Sequence, residues 1–217
     1  ILIPWMLYTR WCASPAFLFE WNQKINLAAV TQPEEMENRH FLDRGLLANQ
    51  TEGQGRMVDV GSGASFPGMV VRLYKPELQV SLMEQTSKRV RFLQQLGTEL
   101  GLAVDVVKER AEEAARKQWR QRFDVASARA VAALPVLCEY CLPLVKVGGW
   151  FIAMKGDPQQ EVGAAQTAIS KLGGKLEDIR TFTLPDGSKR SLVFIHKVGE
   201  TPAVYPRNGG SIAKKPL

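Results

Sequence analysis

The chain of 217 residues is short of several things, and each scarcity excludes a class of protein. Three cysteines (Cys12, Cys138 and Cys141) are too few for a disulfide-stapled domain, and the odd count suits a reducing compartment. The two histidines, His40 and His196, stand far apart in sequence. Cys138-Glu139-Tyr140-Cys141 spells a solitary C-x-x-C. Zinc needs four ligands and no second pair exists, so no metal is expected. No apolar run approaches the roughly 20 residues that cross a bilayer, and no membrane association is expected. The opening Ile1-Leu2-Ile3-Pro4-Trp5-Met6-Leu7 lacks a basic start and soon meets Arg10 and Glu20, so it is not expected to act as a signal peptide. The chain starts on Ile rather than Met, and the native start is expected upstream. There is no internal repeat and no low-complexity tract.

What remains is ordinary globular composition, 45% hydrophobic and 23% charged, with room for one sizeable α/β core and a modest appendage. Lys and Arg number 28 against 22 acids, a net +6 compatible with a polyanionic partner without demanding one. The pattern divides the chain into a helical N-terminal extension (1–50), a core domain (51–200) and a basic tail (201–217) expected to be extended. Strands are expected at residues 57–60, 79–84, 103–108, 123–126, 150–155, 176–183 and 191–197. The clearest helix is 86–100, with Val90, Leu93, Gly97 and Leu100 on one face. Alternating strands and helices predict a mostly parallel sheet covered on both faces. The last two strands meet through Pro185-Asp186-Gly187-Ser188, which is hairpin chemistry. A seven-stranded, mostly parallel sheet with a C-terminal antiparallel strand is the arrangement of class I, Rossmann-like methyltransferases.

The most informative stretch is Val58-Asp59-Val60-Gly61-Ser62-Gly63-Ala64-Ser65-Phe66-Pro67-Gly68, a strand running into a glycine turn with a helix expected from Pro67. Glycines let the backbone turn tightly and approach a ligand, at the strand end where open α/β sheets bind them. A dinucleotide fingerprint would place a third glycine at position 66, where Phe66 stands. Asp59 would repel a pyrophosphate but suits the ammonium of S-adenosylmethionine, which needs an acceptor directly or through water. Glu84 closes the second strand, placed to accept ribose hydroxyls, with Thr86-Ser87 beside it as a helix cap. Ala111-Glu112 follows the third strand, where a side chain and an amide bracket an adenine. Arg129 follows the fourth, within reach of the cofactor carboxylate or the target base. Gly61, Gly63 and these acids on successive strand ends point to S-adenosylmethionine.

These residues resemble the 16S ribosomal RNA (guanine-N7) methyltransferase G family, also called glucose-inhibited division protein B. The resemblance runs from Phe19 to Leu217. It is carried by Trp21-Asn22-Gln23-Lys24-Ile25-Asn26-Leu27, His40-Phe41-Leu42-Asp43, the glycine loop, Ala128-Arg129-Ala130-Val131-Ala132, Glu139 through Val145, Ala153-Met154-Lys155-Gly156, Leu172-Gly173-Gly174, Thr201-Pro202, Tyr205-Pro206-Arg207 and the final Lys215-Pro216-Leu217. It implies a bacterial cytoplasmic enzyme, expected to be monomeric, acting on 16S rRNA in the 30S subunit. By matching position, the cofactor contacts it implies are Gly61, Phe66, Ala111, Glu112 and Arg129. Glu84 replaces a usual aspartate, Ser65 a usual glycine and Ala28 a usual threonine.

Guanine N7 carries an in-plane lone pair, so no base is needed and no catalytic triad is expected; positioning and exclusion of water suffice. Asn22, Asn26 and Arg129 are the candidates for orienting the base. Lys88, Arg89 and Arg91, with Arg207, Lys214 and Lys215, are the candidates for phosphate contacts. The helical face Leu134, Leu137, Cys138, Cys141, Leu142 and Val145 assigns both cysteines to the core. His196 and Trp21 are expected to be structural, while His40 is a weaker candidate for facing the substrate.

Overall fold

The computed structural model describes residues 47–48, 54–63 and 67–217. Asn22, Asn26, His40, Trp21, Cys12, Phe66 and nearly all of the N-terminal helical segment lie outside the described residues. The elements are β1 (Arg56–Val60), α1 (Pro67–Tyr74), β2 (Gln79–Met83), α2 (Ser87–Leu100), β3 (Asp105–Val107) and α3 (Ala111–Ala114). Then follow β4 (Phe123–Arg129), α4 (Leu134–Cys141), a 3-10 turn (Leu142–Leu144), β5 (Val145–Lys155), α5 (Gln159–Lys171), β6 (Gly174–Thr183), β7 (Lys189–Lys197) and α6 (Gly209–Lys214).

The seven strands form one sheet in the order β3-β2-β1-β4-β5-β7-β6. β7 alone is reversed, antiparallel to both β5 and β6, while the remaining pairs run parallel. The chain winds outward from β1 to β3, then returns to place β4 on the other side of β1. Open sheets of this kind form their ligand crevice at such a reversal.

Period-two alternation divides each central strand between two cores. Val58, Val60, Phe151, Ala153, Val193 and Ile195 pack with α4 and α5. Met57, Ile152, Met154, Leu192 and Phe194 share the opposite face with α1 and α2. Both faces are covered, which explains why these strands read as nearly unbroken apolar runs. The predicted α2 face is buried, joined by Phe92 and Leu96, and the helix stops at left-handed Gly101. Cys138 and Cys141 are free thiols in the first core, and burial pushes both well above the ordinary thiol range.

Some boundaries differ from expectation. β4 runs three residues further, so Arg129 is its last residue rather than a loop residue. β5 begins at Val145, ahead of Gly148-Gly149, where its register with β4 shifts between Phe123 and Val125. An irregular strand start of this kind hides from a period-two pattern. Thr86 is the N-cap of α2, but its side chain makes no capping bond.

The tail is not extended. Beyond Thr201 the chain packs back along the domain, with Ile212 buried, and ends in α6, whose cap Asn208 accepts from the Ser211 amide. The reason is charge burial. Glu139 on α4 is fully buried, and its carboxylate receives the Arg207 guanidinium at 2.6 Å and the Arg207 amide at 2.8 Å. Arg207, expected at the RNA surface, is thus committed to the fold. Lys197 is also buried: it donates to the Leu172 carbonyl at 2.6 Å and to the Thr201 hydroxyl, fastening the start of this segment. Burial, with the Arg120 charge nearby, lowers its pKa to about 7. His196 stacks on Trp150 with centroids 4.6 Å apart, the structural place expected for it.

Candidate active site

The carboxyl ends of β1 and β2, with the segments following β3 and β4, open onto one cleft of about 580 Å³, whose lining does not include Arg129. Its floor is the turn after β1. Gly61 (φ +69°) and Gly63 (φ +46°) both take the left-handed conformation, which side chains resist. A Cβ on Gly61 would come within 2.5 Å of Val131 Cγ2, so that residue admits no larger side chain without moving the opposite rim. The Gly61 amide donates to the Met83 carbonyl at 2.9 Å, tying the turn to the end of β2.

Glu84 is 4% exposed and lines the cleft. One carboxylate oxygen accepts from the Gly63 amide (3.1 Å), the other from the Thr86 amide (2.8 Å). The side chain expected to face a ribose therefore also locks the glycine turn to the start of α2. Arg89 stands 3.8 Å from it and also lines the cleft, while Lys88 and Arg91 point to solvent. Of the three basic residues grouped by sequence, one belongs to the cleft.

Asp59 does not line the cleft among the described residues. It is 1% exposed, and its two oxygens accept from Ser127 Oγ at 2.9 Å and from the Gly68 amide at 3.1 Å. It fastens β1 to β4 and to the first turn of α1. Gly68 is the glycine whose importance spacing alone did not reveal. A Cβ there would lie 2.7 Å from Leu82 Cδ2 and 2.8 Å from Asp59 Cβ. Close helix–strand packing, the task of the third glycine in a dinucleotide loop, is moved here from position 66 to position 68. The signal was a glycine at the second position of a helix, where its low propensity needs a reason.

Ala111 and Glu112 line the third side, both buried, with Arg110 reaching Gln85 at 2.8 Å and standing 3.6 Å from the Glu112 carboxylate. The fourth side follows β4. Arg129 ends the strand half-buried, and Ala130 then adopts φ +52°, a conformation that costs a non-glycine residue energy and that concentrates at functional sites. Lys155 holds this loop, donating at 2.7 Å to both the Ala132 carbonyl and Glu161, whose carboxylate also takes the Leu134 amide. Arg110, Val131, Tyr140 and Ala213 also line the cleft, and none of them is a site candidate from sequence. Lys214 and Lys215 are exposed beside it. No group of three His, Cys, Asp or Glu side chains suited to a metal occurs among the described residues, nor any helix long and apolar enough to cross a membrane.

The family model described as "GidB: rRNA small subunit methyltransferase G" matches residues 15–193. A protein of Symbiobacterium thermophilum named ribosomal RNA small subunit methyltransferase G is 47% identical over 209 residues, covering 91% of this chain and 85% of that one. Among solved structures, a predicted O-methyltransferase from Agrobacterium tumefaciens superposes with a TM-score of 0.59 at 18% identity, over 72% of this chain and 81% of that one. M. jannaschii TYW2 in complex with AdoMet gives 0.55 at 12% identity, over 73% and 76%. The fold is that of these methyltransferases.

Proposed function

Since the chain belongs to the rRNA small subunit methyltransferase G family, an S-adenosylmethionine-dependent family of RNA-modifying enzymes, we propose that it transfers a methyl group to N7 of a guanine in 16S rRNA of the 30S subunit. The observation that carries the reading is the cleft. Left-handed Gly61 turns the chain at the tip of β1 as part of its lining, and Glu84 and Glu112 line it from two further segments.

This donor set fits the cofactor. Carboxylates accept from hydroxyls and amines, and a cleft of about 580 Å³ is within the ordinary range for a ligand of this size. Glu84 would hold the ribose, and Ala111 with Glu112 the adenine. Bound S-adenosylmethionine supplies an electrophilic methyl on a sulfonium. The protein need not remove a proton from N7, whose lone pair is already available. Its work is to hold the base in line and keep water out. Arg129 ends β4 one residue before cleft-lining Ala130 and would orient the base, a task that the sequence assigns to Asn22 and Asn26 as well. Ala130 and Val131, held by Lys155, form the rim that the target nucleotide must pass.

The RNA surface would use exposed Lys88 and Arg91, on the helix that carries cleft-lining Arg89, and exposed Lys214 and Lys215, which follow cleft-lining Ala213. Arg207 is withdrawn from it by Glu139. The reduced, buried cysteines suit a bacterial cytoplasm. The test is transfer of labelled methyl from S-adenosylmethionine to 30S subunits, free 16S RNA and small molecules, with mass spectrometry of the RNA product. Label at N7 of one guanine is the expected result; label only on another RNA or a metabolite would overturn the reading.

A further inference from the structure

We propose that the C-terminal segment is a working wall of the cofactor cleft, with Gly209 seated against the Glu112 carboxylate so that the segment's position sets cofactor affinity. This rests on the assignment of the cleft to S-adenosylmethionine. Two residues of the segment reach the site. Ala213 lines the cleft, and a Cβ on Gly209 would lie 2.3 Å from Glu112 Oε1 and 3.6 Å from Arg110 Nη1. The Glu112 side chain is thus confined between Arg110, 3.6 Å away, and the backbone of α6.

The segment is held firmly enough to do this. Arg207 is locked to buried Glu139, Arg116 donates to the Pro206 carbonyl at 2.8 Å, and Arg120 donates to the Tyr205 carbonyl at 2.8 Å. These anchors all come from the domain that builds the rest of the cleft. Residues distant in sequence are therefore part of one rigid enclosure, and Glu139 acts as a positioning residue through Arg207.

Neighbouring glycines supply a matched test. Gly209 and Gly210 both open α6, and neither has a left-handed backbone. A Cβ at 210 meets only Asn208 Oδ1 at 3.5 Å, an ordinary contact. Alanine at either position brings the same helix-propensity gain, but only Gly209→Ala must displace the Glu112 carboxylate. That carboxylate is the far end of a flexible side chain, so folding should be unaffected.

The experiment is calorimetry of the full chain with S-adenosylhomocysteine, the demethylated product, alongside melting of the ligand-free proteins. Gly209→Ala is expected to weaken binding on the order of tenfold, the worth of one polar contact to a charged group, with melting unchanged. Gly210→Ala is expected to bind as wild type. In a Glu112→Ala background, Gly209→Ala is expected to add no further loss, because its effect runs through that carboxylate. Wild-type binding by Gly209→Ala would overturn the proposal, as would an equal loss in both backgrounds. Failure of the wild-type protein to bind would instead sink the cofactor assignment itself.

Discussion

Replacing Gly68 with alanine tests whether the glycine loop is clamped to the sheet as the structure shows. The added methyl would stand 2.7 Å from Leu82 Cδ2, 2.8 Å from Asp59 Cβ and 3.2 Å from Val80 Cγ1. Comfortable carbon contacts are about 3.5–4.0 Å. Leu82 can rotate away, but Asp59 Cβ is one bond from the backbone of a central strand, and its carboxylate is bonded to Ser127. The helix must therefore recede. Overpacking of this kind costs about 1–3 kcal/mol, against a helix-propensity gain of at most about 1 kcal/mol. A net loss of about 1–2 kcal/mol translates into a melting point lower by about 2–8 °C in a chain of this size. Gly163, exposed on α5 with nothing within 4 Å of its Cβ position, gives the opposite sign: Gly163→Ala should gain about 0.5–1 kcal/mol. Urea and thermal unfolding without ligand read both. If Gly68→Ala proved as stable as Gly163→Ala, the clamp between α1 and β1 would not exist as described.

Glu84→Ala removes the acceptor of the Gly63 and Thr86 amides together with a cleft carboxylate, and should weaken S-adenosylmethionine binding at least about tenfold by calorimetry; unchanged affinity would refute its role. Arg129→Ala should cut methyl transfer by roughly a hundredfold or more, with ligand-free melting preserved, and near-normal turnover would remove it from the mechanism. RNA binding should fall steeply with salt, and removing Lys88, Arg91, Lys214 or Lys215 should each lower the log–log slope by about 0.7–0.9; a flat response would contradict the proposed surface. Lys197, with its folded pKa lowered to about 7, is neutral in the fold above that pH while the unfolded chain keeps the proton up to its ordinary value of 10.5. Stability should therefore rise from about pH 7 towards pH 10, by at most about 1.4 kcal/mol per unit from this group, and Lys197→Met should flatten that rise in pH-dependent urea unfolding.

The mostly parallel sheet and its single reversed strand were legible because each is written in local chemistry. Parallel strands buried on both faces show as apolar runs, and Pro185-Asp186-Gly187-Ser188 marks the hairpin, where Gly187 takes φ +79°. The glycine turn and Glu84 were legible for the same reason. What escaped was whatever depends on contacts distant in sequence. Arg207 and Glu139 are 68 residues apart, so nothing local distinguishes Arg207 from Lys215, and a buried ion pair was taken for a phosphate contact. Arg89 differs from Lys88 and Arg91 only by its direction on α2, which settles whether a cation faces Glu84 or solvent. Tyr140 and Ala213 reach the cleft through the packing of α4 and α6, which no motif announces.

Asp59 shows how a residue can be singled out correctly by type and differently by task. Its position before the glycine turn invites the idea of a salt bridge to a cationic ligand. Its two oxygens instead meet a backbone N–H from Gly68 and a hydroxyl from Ser127. Both donate to the carboxylate here, although the Ser127 hydroxyl could equally accept from an amide at position 59. The acid thus serves the fold before any ligand is considered. The two demands are compatible. A carboxylate buried one residue before cleft-lining Val60 would, when ionised, favour cations in the cleft without touching them. The same atoms that fasten α1 to the sheet would then bias the potential felt by a sulfonium, and the acid was legible in the sequence while its contacts were not.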